Sequence, residues 1–221
     1  PALPTAMTDC CLCVCLRPSH HTRVVARLYP KGVTGLEPDL QPQSVGKLTT
    51  YAERQPKKLP KIAEHLSACA HRDLRRGRHG FVALAVRALS SLVDVCRGEL
   101  ETFEEPVLAL IRELLRGEVT SLRVVAAGAV VAVLNAQDEV SDFDKFEPFL
   151  PQLLNMIGSP GANSSARSVR IAGLAALLAL LQQVEKAALL GNIRRVLPPV
   201  LATLRKEGGR RAGGQRERDR G

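Results

Sequence analysis

The chain has 221 residues, of which 45% are hydrophobic and only 3% aromatic, and its formal charge at pH 7 is +9. That is enough apolar sequence to bury a substantial core in one or two domains. Leu, Ala and Val supply most of it while Tyr, Phe and Trp are scarce, which argues against a sheet-based fold and for an all-helical one. The charge is localised: residues 1–80 hold 13 Lys/Arg against 6 Asp/Glu, residues 81–207 hold 13 against 14, and residues 208–221 hold 5 against 2. A basic N-terminal end and a short basic tail flank a neutral middle. This distribution suits an anionic partner surface, and equally a soluble basic protein.

In chain order the first feature is the stretch CCLCVCLRP, in which Cys10, Cys11, Cys13 and Cys15 make up four of the 6 cysteines. No basic flank with a long apolar core marks a secretory leader, so a reducing, cytosolic setting is expected and a disulfide framework is not. Three chemistries compete for the cluster. With His20 and His21 it could form a Cys/His metal site, although the usual two-residue ligand spacing is absent. A redox pair would show Cys-x-x-Cys opening a helix, which is also absent. The third is S-acylation, whose usual substrates are membrane-proximal thiols near basic residues. Each buried methylene contributes about 0.8 kcal/mol, yet one acyl chain holds only marginally, so several chains, or one chain with basic residues, are needed. Basic residues follow, from Arg17 and Arg23 through Lys47, Lys57, Lys58 and Lys61 to Arg72, Arg76 and Arg78. Each contributes roughly 1 kcal/mol near an anionic leaflet. A solvated helix surface is the alternative for any one of them.

His21–Tyr29 and Ser44–Arg54 read as short helices on either side of a Pro- and Gly-rich loop. Beyond them four prolines, Pro60, Pro106, Pro151 and Pro198, recur at intervals of 46, 45 and 47 residues. Each opens an apolar phrase (LPKIAEHL, EPVLALIREL, LPQLLNMI, LPPVLATL), and proline is tolerated in the first turn of a helix, so each marks a helix start. Between them lie more apolar helices at Gly80–Cys96, Thr120–Leu134 and Ser168–Leu181, expected to be buried on most sides. Their charge-free runs, Val124–Gln137 and Ile171–Val184, are 14 residues each, short of the roughly 20 that span a bilayer. Ala126 and Gly173 recur three residues after Arg123 and Arg170, where a small side chain admits a neighbouring helix closely.

Two helices per unit and a period of about 45 predict an all-α, HEAT/armadillo-like solenoid of stacked helical pairs. The chain then divides into a Cys-rich acylated segment (1–20), short basic helices (21–55), repeats (56–206) and a disordered basic tail (207–221). The tail interrupts the fourth repeat after its first helix, so the solenoid is expected to be truncated.

Catalytic signals are few. There is no nucleophile elbow, phosphate loop or His-Glu-x-x-His pattern, so no enzyme activity and no cofactor are expected. Ser44-x-x-Lys47 is too short a pattern to carry chemistry. His65, His71 and His79 read as surface or helix-end residues, and Gly158–Gly161 as an inter-helix loop. Asn163-Ser164-Ser165 is a glycosylation sequon that a cytosolic chain does not expose to the machinery. Cys69 and Cys96 read as small core residues. Nucleic acid is not expected as a partner, because no recognition motif or aromatic interleaving accompanies the basic residues.

Several segments, in this order and spacing, are similar to one known family. They are the cysteine cluster, Leu16-Arg17-Pro18, Lys47-Leu48-Thr49-x-Tyr51-Ala52, Lys58-Leu59-x-x-Ile62 and Arg72-Asp73-x-x-Arg76-x-Arg78-x-Gly80-Phe81-Val82. From Cys10 to about Leu204 the chain resembles the N-terminal part of the rolling blackout/Stambha A (EFR-three) family, palmitoylated plasma-membrane scaffolds of phosphatidylinositol 4-kinase type III alpha. The resemblance implies acylation at Cys10, Cys11, Cys13 and Cys15. It also implies binding of acidic phospholipids of the inner leaflet by a basic patch, with Arg17, Lys47, Lys58, Arg72, Arg76 and Arg78 at matching positions. It implies a peripheral, lipid-anchored place on the cytoplasmic face of the plasma membrane, besides a cytosolic pool. The family's rod is longer and its kinase-complex contacts lie in the part beyond this length, so this chain is expected to reach the membrane without the partner-binding region. One departure is Ser19-His20-His21-Thr22, where the family tends to be strongly basic; the expected basic contribution there is either weaker or dependent on pH through the two histidines. The alternative from a different class is a soluble helical-repeat interaction module with a Cys/His metal site.

Overall fold

A computed structural model describes residues 19–29, 42–137, 145–161, 163–183 and, near the end, 197, 198, 200–202 and 205. The cysteine cluster, Arg17, the 30–41 loop and the tail from 206 lie outside the described residues.

The described residues include the helices α1 (His20–Ala26), α2 (Pro42–Arg54), α3 (Leu59–Arg75), α4 (His79–Val95), α5 (Glu104–Arg116), α6 (Thr120–Ala136), α7 (Leu150–Ile157) and α8 (Ser164–Gln183). Among the described residues there is no strand. Pro60 and Pro151 stand in the first turns of α3 and α7, and Pro106 in that of α5, as the proline period predicts. Short 3₁₀ turns at Pro56–Lys58, Arg97–Thr102 and Glu147–Phe149 lead into these helices. Residues 197, 198 and 200–202 are helical too, at the fourth proline.

The helices pack as a two-layer ladder. Each hairpin closes on itself, α3 on α4, α5 on α6 and α7 on α8. The second helices form one layer, α4 on α6 and α6 on α8, and the first helices form the other, α3 on α5 and α5 on α7. The chain thus has the all-α helical-repeat architecture that the period implied. The short pair α1 and α2 extends the same arrangement, because α1 packs on α3 and α2 on α4.

The core runs continuously between the layers. Leu59, Ile62, Ala63, Leu66 and Ala70 form the inward face of α3, and Val82, Leu84, Ala85, Leu89 and Leu92 that of α4. Phe103, Phe146 and Phe149 fill the ends of the hairpins. Cys69 and Cys96 are buried thiols outside any disulfide, Cys69 on α3 and Cys96 just after α4. Polar ties stitch one hairpin to the next: Ser67 Oγ donates to the Pro106 carbonyl at 3.1 Å, and His71 Nδ1 lies 2.9 Å from Glu113. Buried Glu104 accepts from Lys145 at 2.6 Å and from Gln137 at 3.3 Å.

Gly173 is where α8 crosses α7 most closely. A Cβ there would stand 2.9 Å from the Met156 Cβ and 3.2 Å from the Leu153 carbonyl oxygen, so only glycine fits. Ala126, at the matching place on α6, is fully buried.

The α8 helix departs from expectation. It is 20 residues long rather than the 14 of its charge-free run, and by length and composition alone it could cross a membrane. Its buried side packs on α6 and α7 and includes Val169, Gly173, Ala176, Leu177 and Leu180. The opposite side is open, with Ile171 55% and Leu178 56% exposed. The inner helices were expected to be covered on most sides. Here α6 covers one flank of α8 and, among the described residues, no further inner helix covers the other.

Candidate functional site

The candidate site begins with the periodicity of α3. At about 100° per residue, Lys58, Lys61, His65, Arg72 and Arg76 fall within a sector roughly 60° wide. The buried residues Leu59, Ile62, Ala63, Leu66 and Ala70 occupy the adjoining sector of the helix. The basic residues therefore form a lengthwise stripe beside the buried face, with Lys61 and Arg76 exposed and Lys58, His65 and Arg72 half-buried. Lys58 and Arg76 stand about 27 Å apart along the axis at 1.5 Å per residue. Such a line of charge suits a surface better than a single small anion.

The α1 helix lies alongside this stripe and runs in the same direction. His21, near its start, is close enough to Lys58, Lys61 and His65 for their charges to act on it. Tyr29, just beyond its end, senses Cys69, Asp73 and Arg72, and its ring lies 5.9 Å from that of Phe81. The apolar side of α1, Val24, Val25 and Leu28, is buried, whereas Arg23 and Arg27 are exposed. Ser19 Oγ bonds the His21 ring at 2.9 Å, and the His20 ring lies 4.8 Å from that of Tyr51 on α2. Burial, then the charges of Lys58, Lys61 and His20, hold His21 below the usual imidazole range. Burial, then His21 and Arg72, do the same to His65.

The predicted residues do not all meet. Lys58, Arg72 and Arg76 share the α3 stripe. Lys47 is exposed on α2, one turn before Tyr51, outside the stripe. Arg78 follows the turn at Gly77, whose φ of 69° is the left-handed conformation glycine adopts freely. Its guanidinium pairs with the carboxylate of Asp73, which is 2% exposed, and lies 5.6 Å from the Phe81 ring. The Arg78 amide also donates to the Asp73 carbonyl at 2.9 Å. The densest sequence motif thus builds the corner between α3 and α4, and a pair with no net charge adds little to the field outside. Cys10, Cys11, Cys13, Cys15 and Arg17 lie outside the described residues.

Buried polar residues went unread in the sequence, Asp73 and Arg170 among them. Asp73 continues the inward series Ile62, Leu66 and Ala70, a position that announces a buried partner for a charge. Arg170, 2% exposed, donates from one guanidinium nitrogen to the carbonyls of Ser159 at 3.3 Å and Gly161 at 3.0 Å, fixing the loop after α7. That loop is the one predicted between the helices, and it serves as a hydrogen-bond acceptor. His71 is tied to Glu113 and His79 opens α4. Among the described residues, no three His, Cys, Asp or Glu side chains converge on a metal position.

Comparison with known proteins matches this architecture. The family model described as "EFR3, armadillo repeat" matches residues 45–204. Protein EFR3 homolog B of Danio rerio is 30% identical over 141 residues, covering 63% of this chain and 17% of that protein. Protein EFR3 homolog A of Homo sapiens is 29% identical over 144 residues, with 65% and 17% covered. Protein SEMI-ROLLED LEAF 2 of Oryza sativa subsp. japonica is 25% identical over 140 residues, with 61% and 14% covered. The matched stretch is thus between about a seventh and a sixth of each relative's length. No solved structure matches the chain significantly. With an all-helical ladder spanning the matched residues, the chain belongs to the EFR3 armadillo-repeat family.

Proposed function

We propose that the chain is a non-catalytic, membrane-anchored scaffold held on the cytoplasmic face of the plasma membrane, where the phosphatidylinositol 4-kinase type III alpha complex is its partner through regions beyond this length. Acylation of Cys10, Cys11, Cys13 and Cys15 supplies the anchor, and the basic side of α3 meets the acidic phospholipids. The observation that carries this reading is the alignment of Lys58, Lys61, Arg72 and Arg76 along one side of α3, beside a helix that follows the cysteine cluster in the chain. Cys15 precedes Ser19 by four residues, a reach of at most about 14 Å. A lipid there tethers the end of α1 that faces Lys58 and Lys61. Each cation contributes roughly 1 kcal/mol near an acidic leaflet, and one acyl chain needs such a supplement to hold stably. Arg17 and Lys47 add charge outside the stripe, while Arg78 contributes mainly by fixing the corner.

Metabolic labelling with an alkyne palmitate analogue tests the anchor. Label is expected on the wild-type chain and none after replacement of the four cysteines by Ser; label that survives the replacement rules the assignment out. Pelleting of the unacylated protein with phosphatidylserine vesicles tests the patch, and Lys58→Glu with Arg76→Glu is expected to abolish it. Stoichiometric zinc in the purified chain would instead favour a Cys/His metal site and a soluble interaction module.

A further inference from the structure

The basic side of α3 is interrupted by an imidazole. His65 stands between Lys61 and Arg72 in the stripe, and His21 faces the same cations from α1. The charged and titratable groups acting on His21 are Lys58, Lys61 and His20; those acting on His65 are His21 and Arg72. His65 Nε2 also lies 4.0 Å from Cys69 Sγ, and α2 contributes Tyr51 against His20. Among the described residues, the groups that hold either ring below its usual range include no carboxylate.

We propose that His21 and His65 make the basic face pH-sensitive, so that the protein holds anionic bilayers more tightly as the surrounding solution acidifies. The inference rests on the membrane reading above and adds its regulation. Burial, and then the like charges crowded on the free face, oppose a proton on either ring and hold both below the usual imidazole range. An acidic leaflet laid against the stripe cancels that opposition and favours the charged rings. Docking therefore takes up protons, and by linkage a fall in pH strengthens docking. A cation near such a leaflet is worth about fivefold in affinity, so charging both rings gives about 25-fold.

The test uses the full, unacylated chain and vesicles of phosphatidylcholine with phosphatidylserine, between about pH 7.5 and pH 5.5 where imidazoles titrate. Wild-type partitioning is expected to rise about 25-fold across that range, and His21→Gln with His65→Gln to remove the rise. Lys58→Ala with Lys61→Ala is expected to weaken binding throughout and to move the midpoint of the rise to higher pH, because those cations no longer oppose the proton. Titration calorimetry in two buffers of different ionisation heat is expected to show net proton uptake on docking, and this readout does not depend on a variant folding. Strong wild-type binding with a flat pH profile and no proton uptake overturns this inference alone, as does a double-histidine variant that keeps the full rise. Absence of binding to acidic vesicles at any pH overturns the membrane reading and this one together.

Discussion

Asp73 illustrates how a residue that looks like surface charge serves the interior. It sits on the inward side of α3, where the Arg78 guanidinium offsets its desolvation. Asp73→Asn is expected to cost roughly 1–3 kcal/mol in urea unfolding, the range for losing a charge-assisted buried hydrogen bond. Two glycines test packing in opposite directions. Gly173→Ala forces a methyl against Met156 and is expected to destabilise by roughly 1–3 kcal/mol. Gly128→Ala, on α6 with nothing within 4 Å of the new Cβ, is expected to stabilise by about 0.5–1 kcal/mol through helix propensity alone. The same urea titrations check both. Histidine contributes at this scale too. His21 and His65 are held below the usual imidazole value in the fold, so the unfolded chain binds protons more readily. Stability is therefore unaffected well above pH 6.5 and falls as pH drops through that value. The melting temperature is expected to fall less between about pH 7.5 and pH 5.5 in the His21→Gln, His65→Gln variant than in the wild type. Gly173 was legible in the sequence because a small residue recurs at one register of the inner helices. The Asp73–Arg78 pair was not, since spacing alone does not reveal whether a carboxylate points inward.

At the scale of elements, helix starts were the most legible feature. Proline fixes φ and lacks a donor, so its place in a helix is restricted to the first turn, and the period of the prolines carries directly into the period of hairpins. The partnership of loops and helices was hidden. Arg170 lies in an otherwise apolar run, and nothing local indicates that it reaches back 11 residues to Ser159. The exposed side of α8 was hidden for a related reason: hydropathy gives the character of a side chain but not whether a neighbour covers it. Because Ile171 and Leu178 face outward, Ile171→Glu with Leu178→Glu is expected to change stability by less than about 0.5 kcal/mol per site. The same pair is expected to lower self-association measured by sedimentation velocity. A large loss of stability would mean that another helix covers that side.

At the scale of the whole molecule, the described residues keep the cationic stripe of α3 apart from the open apolar side of α8. The cationic stripe belongs to the first full hairpin, and the open apolar side to the third. If the stripe meets acidic lipid through solvent-exposed groups, binding of the unacylated chain is expected to weaken steeply with salt as the screening length falls below about 8 Å beyond physiological ionic strength. Vesicle pelleting across a salt series checks this, and salt-insensitive binding would point to apolar insertion instead. The way α1 is attached has a mechanical consequence. The helix has 7 residues and grips its neighbours through Val24, Val25 and Leu28, with Tyr29 stacked near Phe81 at the far end. A tug delivered through the residues that precede Ser19 loads these grips one after another, from the first turn onward, as in peeling tape. Peeling needs far less force than shearing several contacts at once, so α1 is the part of the ladder that yields first under tension, and α3 onward is spared until it has come away.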